Sequence, residues 1–212
     1  MNKVFVFLLF ILSAFPAFAA DDGGIDIAIA DPGIYHQRER TVLAPAVREK
    51  RELYEVTGCG EQEIREQMTR KGVAWSDGKT YDSVTSWHVE WGYEHYETMR
   101  SCSAEAFQAS VEISMRYPRW IRSDYAPQGL MAKWEGYMAS LVLHEEGHRD
   151  MVMEAVEDIT RAVAKLPAAP TCAELDRMVR SLCHERMAKL NSEAKEYDVA
   201  TCHGAEQGAV FP

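Results

Sequence analysis

Residues 130–166 read LMAKWEGYMASLVLHEEGHRDMVMEAVEDITRAVAKL, without a proline and with Pro167 directly behind. Val152, Val156, Ile159 and Val163 recur at three- and four-residue spacing, which predicts a long amphipathic helix. Gly136 and Gly147 are the two places where such a helix would bend. Within it lies His144-Glu145-Glu146-Gly147-His148, an H-E-x-x-H pattern. Helical residues four apart share a face, with Cβ atoms about 5–6 Å apart. Two imidazoles at that spacing can grip one Zn²⁺, and Glu145 beside them can take a proton from a metal-bound water.

The chain on either side of this helix sets the fold class. Pro167 and Pro170 form a turn, and Thr171 or Cys172 opens another helix running to about Glu196, with Leu175, Met178, Val179, Leu182 and Met187 on its apolar side. Two long helices joined by so short a loop lie antiparallel. Upstream the period changes to two. Trp87, Val89, Trp91 and Tyr93 alternate with His88, Glu90 and Gly92, and Phe107, Ala109, Val111, Ile113 and Met115 alternate with polar residues. These runs suit adjacent antiparallel strands, the second stopped by Pro118. Leu53 to Thr57 reads as a short strand and Glu61 to Arg70 as a helix, while Tyr197 to Pro212 reads as irregular. The expected architecture is α+β and zincin-like: a small antiparallel sheet followed by a helical hairpin carrying the H-E-x-x-H.

The first residues predict export. Lys3 gives a positive start, Val4 to Ala14 is almost wholly apolar, and Ala17-Phe18-Ala19 is a small-x-small cleavage site, so residues 1–19 read as a signal peptide cut after Ala19. Residues 20–45 read as an Asp/Gly-rich arm and 46–212 as one domain, placed in a periplasm or outside the cell. No later segment approaches the ~20 apolar residues of a membrane span. A net charge of −10 without a Lys/Arg cluster argues against nucleic acid and anionic membrane surfaces as partners. An oxidising compartment also calls for disulfides among Cys59, Cys102, Cys172, Cys183 and Cys202. The expected pairs are Cys172–Cys183 and Cys59–Cys102, leaving Cys202 free.

A catalytic zinc needs a third protein ligand and an open fourth position. Arg149 to Glu154 contains no histidine, so the third ligand must come from farther along the chain. Candidates are Glu174, Glu185 and Glu193 on the following helix, or the segment Tyr197-Asp198-Val199-Ala200-Thr201-Cys202-His203-Gly204.

From about Tyr54 to Pro212 the chain resembles the DUF922 family, bacterial proteins described as predicted secreted Zn-dependent proteases. The resemblance rests on Trp87-His88-Val89-Glu90-Trp91 with Cys102 downstream, and on Trp134-Glu135-Gly136-Tyr137 leading into the H-E-x-x-H. It also rests on Tyr197-Asp198-x-x-Thr201-x-His203-Gly204 followed by Gln207-Gly208-Ala209. Cys202 looks like an addition to that ending. The resemblance implies a zinc-peptidase-like fold.

With the local chemistry, the expected third ligand is His203, since imidazole suits zinc and Gly204 lets the backbone approach closely. Asp198 and a helix carboxylate such as Glu185 are the alternatives. If His203 is the ligand, Asp198 would orient a histidine and Tyr197 would stabilise an oxyanion. The expected protein is a metallopeptidase with one Zn²⁺ per chain, Glu145 as general base, and a protein or peptide as substrate. The alternatives are a non-catalytic, zinc-stabilised envelope protein that binds another protein, and a zinc amidase or peptidase acting on peptidoglycan.

Overall fold

A computed structural model describes residues 43–212 apart from 76 and 77. The expected signal peptide and nearly all of the expected arm lie outside the described residues. The chain order is β1 (Ala46–Thr57), α1 (Glu61–Lys71), β2 (Val73–Ala74), β3 (Thr80–Tyr81), β4 (Val84–Glu97), β5 (Cys102–Ile121), α2 (Gln128–Ala164) and α3 (Cys172–Thr201). A 3-10 turn at Ala205–Gln207 follows.

The fold is α+β, as the two sequence periods imply. Its main sheet has the order β1-β5-β4. β4 and β5 pair antiparallel, with Trp87 opposite Ile113 and Val89 opposite Val111. β1 pairs parallel to β5, from Ala46 opposite Ser110 to Thr57 opposite Ile121. The expected all-antiparallel sheet is therefore corrected to a mixed one. Pro118 does not end β5, which continues to Ile121. The β4 ladder stops at Val84–Arg116, so at Pro118 only β1 remains alongside, and a missing N–H is tolerated where one flank is open.

One face of the sheet is apolar, carrying Val89, Trp91, Phe107, Ala109, Val111, Ile113 and Met115, all buried. The helical hairpin covers this face. α2 contributes Leu141, Val152, Val156, Ile159 and Val163, and α3 contributes Leu175, Val179, Met187 and Leu190, to the same core. Each such side chain stabilises by roughly 1.5–3 kcal/mol when fully buried. α2 is a single element of 37 residues, including Gly136 and Gly147. Thr171 caps α3, its hydroxyl accepting from the Glu174 N–H. No helix among the described residues is long and apolar enough to cross a membrane.

The structure also corrects the cysteine pairing. Cys172 and Cys183 both lie on α3, about 16 Å apart along an axis rising ~1.5 Å per residue. A disulfide needs Cα atoms within about 7 Å. Cys102 pairs instead with Cys172, at a Cα–Cα distance of 5.0 Å. Reciprocal backbone hydrogen bonds between Cys102 and Ala169, both 2.8 Å, bring the strand to the turn before α3. Cys59, Cys183 and Cys202 are free. Peptide mapping without reduction is expected to recover the Cys102–Cys172 peptide pair. Replacing both cysteines with alanine is expected to cost about 2–5 kcal/mol of stability, read by chemical denaturation.

Candidate metal centre

The histidines occupy the buried stripe of α2. Tyr137, Leu141, His144, His148 and Val152 follow one another at three- and four-residue spacing and are all buried. His144 is 3% exposed, His148 7% and Glu145 3%. Buried imidazoles need polar partners, and the end of α3 supplies them. This helix continues past Glu196 to Thr201, which places Tyr197, Asp198 and Thr201 on its last turn rather than in an irregular tail. The apolar stripe of Cys183, Met187, Leu190 and Ala194 extends at the same spacing into Tyr197, Asp198 and Thr201.

Asp198 Oδ1 lies 2.9 Å from His148 Nε2 and 3.3 Å from His144 Nε2. One donor atom each from His144, His148 and Asp198 fall within 4.8 Å of one another, forming a group that could hold a metal ion. Asp198 pairs with three histidines, the third being His203, whose Nδ1 is 3.6 Å away. Two imidazole nitrogens and one carboxylate oxygen are donors that suit zinc, and three protein donors are the number a catalytic zinc site uses.

Tyr197 packs against both histidines. Its ring stacks on His144 at 5.0 Å between centroids and meets His148 edge-on, also at 5.0 Å. Gly147 makes room for it, because a Cβ there would lie 2.4 Å from the Tyr197 hydroxyl. The glycine inside the H-E-x-x-H thus lets α3 approach α2 at the site. Cys202 and His203 follow α3 with φ of 48° and 52°, in the left-handed region that costs non-glycine residues energy. Gly204 is also left-handed, at 86°, and a Cβ there would lie 3.0 Å from His144 Cγ.

Glu145 is held from the sheet. Thr85, on the inward row of β4, donates its hydroxyl to Glu145 Oε2 at 2.6 Å. Glu146 faces outward and pairs with Arg51 of β1 at 2.9 Å.

The charges at the site are coupled. Burial alone would raise the Asp198 carboxyl. Hydrogen bonds from His144 and His148, with the charges of His148 and His203, instead bring it well below the usual carboxylate range. Burial works against an imidazolium at His144. The Asp198 and Gln207 hydrogen bonds and the Glu145 charge nevertheless hold its pKa above the ordinary histidine value.

The depressed Asp198 contributes stability that is present above about pH 4 and lost as pH falls towards its folded pKa. The raised His144 contributes stability that is present below about pH 6.5 and lost as pH rises through its folded pKa. Metal-free protein is therefore expected to gain least melting temperature from this cluster at the alkaline and strongly acid ends. Metal binding displaces the histidine proton, so stabilisation by added zinc should grow with pH. Melting curves from pH 2 to 8 without zinc, and from pH 5 to 8 with it, check both trends.

The sequence-predicted residues thus fall into distinct places. His144 and His148 come together with Asp198, which sequence analysis ranked behind His203. His203 sits at the edge, with a side chain 48% exposed and its ring 4.9 Å from that of Tyr81. It lies beside Asp198 and outside the three-donor group, in which Asp198 takes the place expected for His203. Glu174, Glu185 and Glu193 are not in that group. Tyr197 is in the site, holding its hydroxyl near Gln207 and the His144 carbonyl. Thr85 was missed, although it lies on the period-two row of Trp87, Val89 and Trp91.

Fold and site define an α+β protein in which two buried histidines and a half-buried aspartate form a group able to hold a metal. The chain belongs to the DUF922 family, described as bacterial protein of unknown function, whose model matches residues 51–204. No curated protein and no solved structure matches it.

Proposed function

We propose that this protein is a zinc-dependent metallopeptidase working in an oxidising compartment outside the cytoplasm. The observation that carries this reading is the convergence of His144, His148 and Asp198 beside a buried glutamate on the same helical turn. A site that only stabilises the fold has no use for Glu145 at that position. The Cys102–Cys172 disulfide and the signal-like first residues support the location.

His144, His148 and Asp198 would hold the zinc. When bound, zinc supplies Lewis acidity, polarising a peptide carbonyl and lowering the pKa of water. Glu145 is the general base: its carboxylate takes a proton from the attacking water and passes it to the leaving amine. The Thr85 hydroxyl fixes one carboxylate oxygen and leaves the other for that proton. Tyr197 is clamped against His144, and stabilising an oxyanion would require its hydroxyl to leave Gln207 and the His144 carbonyl.

The test begins with the zinc content of residues 20–212 produced in an oxidising compartment and purified without chelator or His-tag. About one zinc per chain and hydrolysis of casein or a peptide library are the expected results. Absence of zinc after reconstitution of folded protein would end this reading. One zinc without hydrolysis of peptides or peptidoglycan would favour a zinc-stabilised binding protein.

A further inference from the structure

The segment after α3 runs back along α2, and its contacts follow successive turns of that helix. Gly204 lies against His144, and a Cβ on Gly208 would lie 2.9 Å from Ser140 Oγ. Phe211, 6% exposed, packs against Tyr137 and Trp134 at centroid distances of 5.3 Å. The turn between the two glycines is closed by the Ala209 N–H donating to the Gly204 carbonyl at 2.9 Å. Gly208, at φ 94°, completes it in the left-handed region.

This turn delivers Gln207 to the site. Gln207 Oε1 lies 3.0 Å from His144 Nδ1, and its amide nitrogen donates to the Tyr197 hydroxyl at 3.0 Å. Thr201 Oγ1 lies 3.4 Å from the same Nδ1. The Thr201 hydroxyl donates to the Tyr197 carbonyl at 2.8 Å, so towards His144 it presents a lone pair. Both neighbours of Nδ1 are therefore acceptors, and Nδ1 must be the nitrogen that carries hydrogen. In the neutral imidazole that a metal requires, the lone pair then falls on Nε2, the nitrogen that donates to Asp198 in the metal-free protein.

We propose that Gln207, assisted by Thr201, is a positioning residue that fixes the metal-binding tautomer and ring orientation of His144. The inference rests on the metal reading given above and extends it to the C-terminal segment. An acceptor behind a ligating imidazole sets which nitrogen is free and makes that nitrogen a better donor; losing one typically costs about 10–100-fold in metal affinity. By also gripping Tyr197, Gln207 ties the imidazole to the ring stacked on it.

The experiment is competition titration of Zn²⁺ against a chromophoric chelator, with Co²⁺ spectra as a second readout, on residues 20–212. Gln207→Leu removes the acceptor and is expected to weaken zinc binding at least about tenfold. Gln207→Glu restores an acceptor to Nδ1 and is expected to bind as tightly as the unaltered chain or more so. Glu206→Gln alters an exposed residue of the same turn and controls for disturbance of the segment. Zinc on the unaltered chain with equal affinity in Gln207→Leu would overturn this inference alone. An equal loss in Gln207→Leu and Gln207→Glu would also overturn it, since the turn rather than the acceptor would then matter. Absence of zinc from the unaltered chain would overturn the metal reading and this inference with it.

Discussion

Glu145→Gln is expected to leave one zinc per chain while lowering peptide hydrolysis by at least about 10²–10⁴-fold, the usual contribution of a general base. The substitution keeps the volume of a side chain that is 3% exposed, so it opens no cavity. Its amide oxygen can still accept the 2.6 Å hydrogen bond from Thr85, so no buried hydroxyl is stranded. What it removes is proton affinity. Zinc content by elemental analysis and turnover on the same sample separate the two effects. Loss of zinc would make Glu145 part of the metal group, and unchanged turnover would assign the base elsewhere. Glu145→Ala is the poorer variant, because it combines lost chemistry with a cavity and an unpaired Thr85.

How much of this could be read from the sequence depends on how local each signal is. The α2/α3 hairpin was legible because apolar spacing and the Pro167/Pro170 break are short-range features. The two histidines were legible for the same reason, since four residues of helix fix their distance. Strand order was not legible: β1 joins β5 in parallel across α1, β2, β3 and β4, and periodicity says nothing about which strands meet. The disulfide failed on a related point. Cys172 and Cys183 are near in sequence, but a helix opening at Cys172 separates them rigidly, whereas Cys102 reaches Cys172 only through the β5 to α3 contact.

The role of Asp198 hinged on where α3 ends. With the helix stopped near Glu196, Asp198 and His203 are equivalent loop residues, and imidazole is the better guess for zinc. With the helix carried to Thr201, Asp198 faces α2 while His203 follows a left-handed turn. The stripe of Cys183, Met187, Leu190 and Ala194 held that information, since its next steps fall on Tyr197, Asp198 and Thr201.

The same geometry makes the second large prediction a comparison of two variants. Asp198→Ala is expected to weaken zinc binding by more than about 10²-fold, whereas His203→Ala should change it by less than about tenfold. Asp198 Oδ1 lies within 3.3 Å of both helix histidines, so its loss deletes one of three donors and leaves two buried imidazoles without the carboxylate that bridges them. His203, nearly half exposed, lies 3.6 Å from Asp198 Oδ1 and outside the three-donor group. Removing it takes one positive neighbour from Asp198 and relieves a left-handed residue. Asp198→Asn sharpens the comparison: it keeps the shape and an oxygen donor but loses the charge that offsets zinc, so its affinity should fall between Asp198→Ala and the unaltered chain. Chelator competition on all four proteins reads the order directly. The reverse order, with His203→Ala losing zinc and Asp198→Ala keeping it, would require the C-terminal turn to swing His203 inward when metal binds and would return Asp198 to an orienting role.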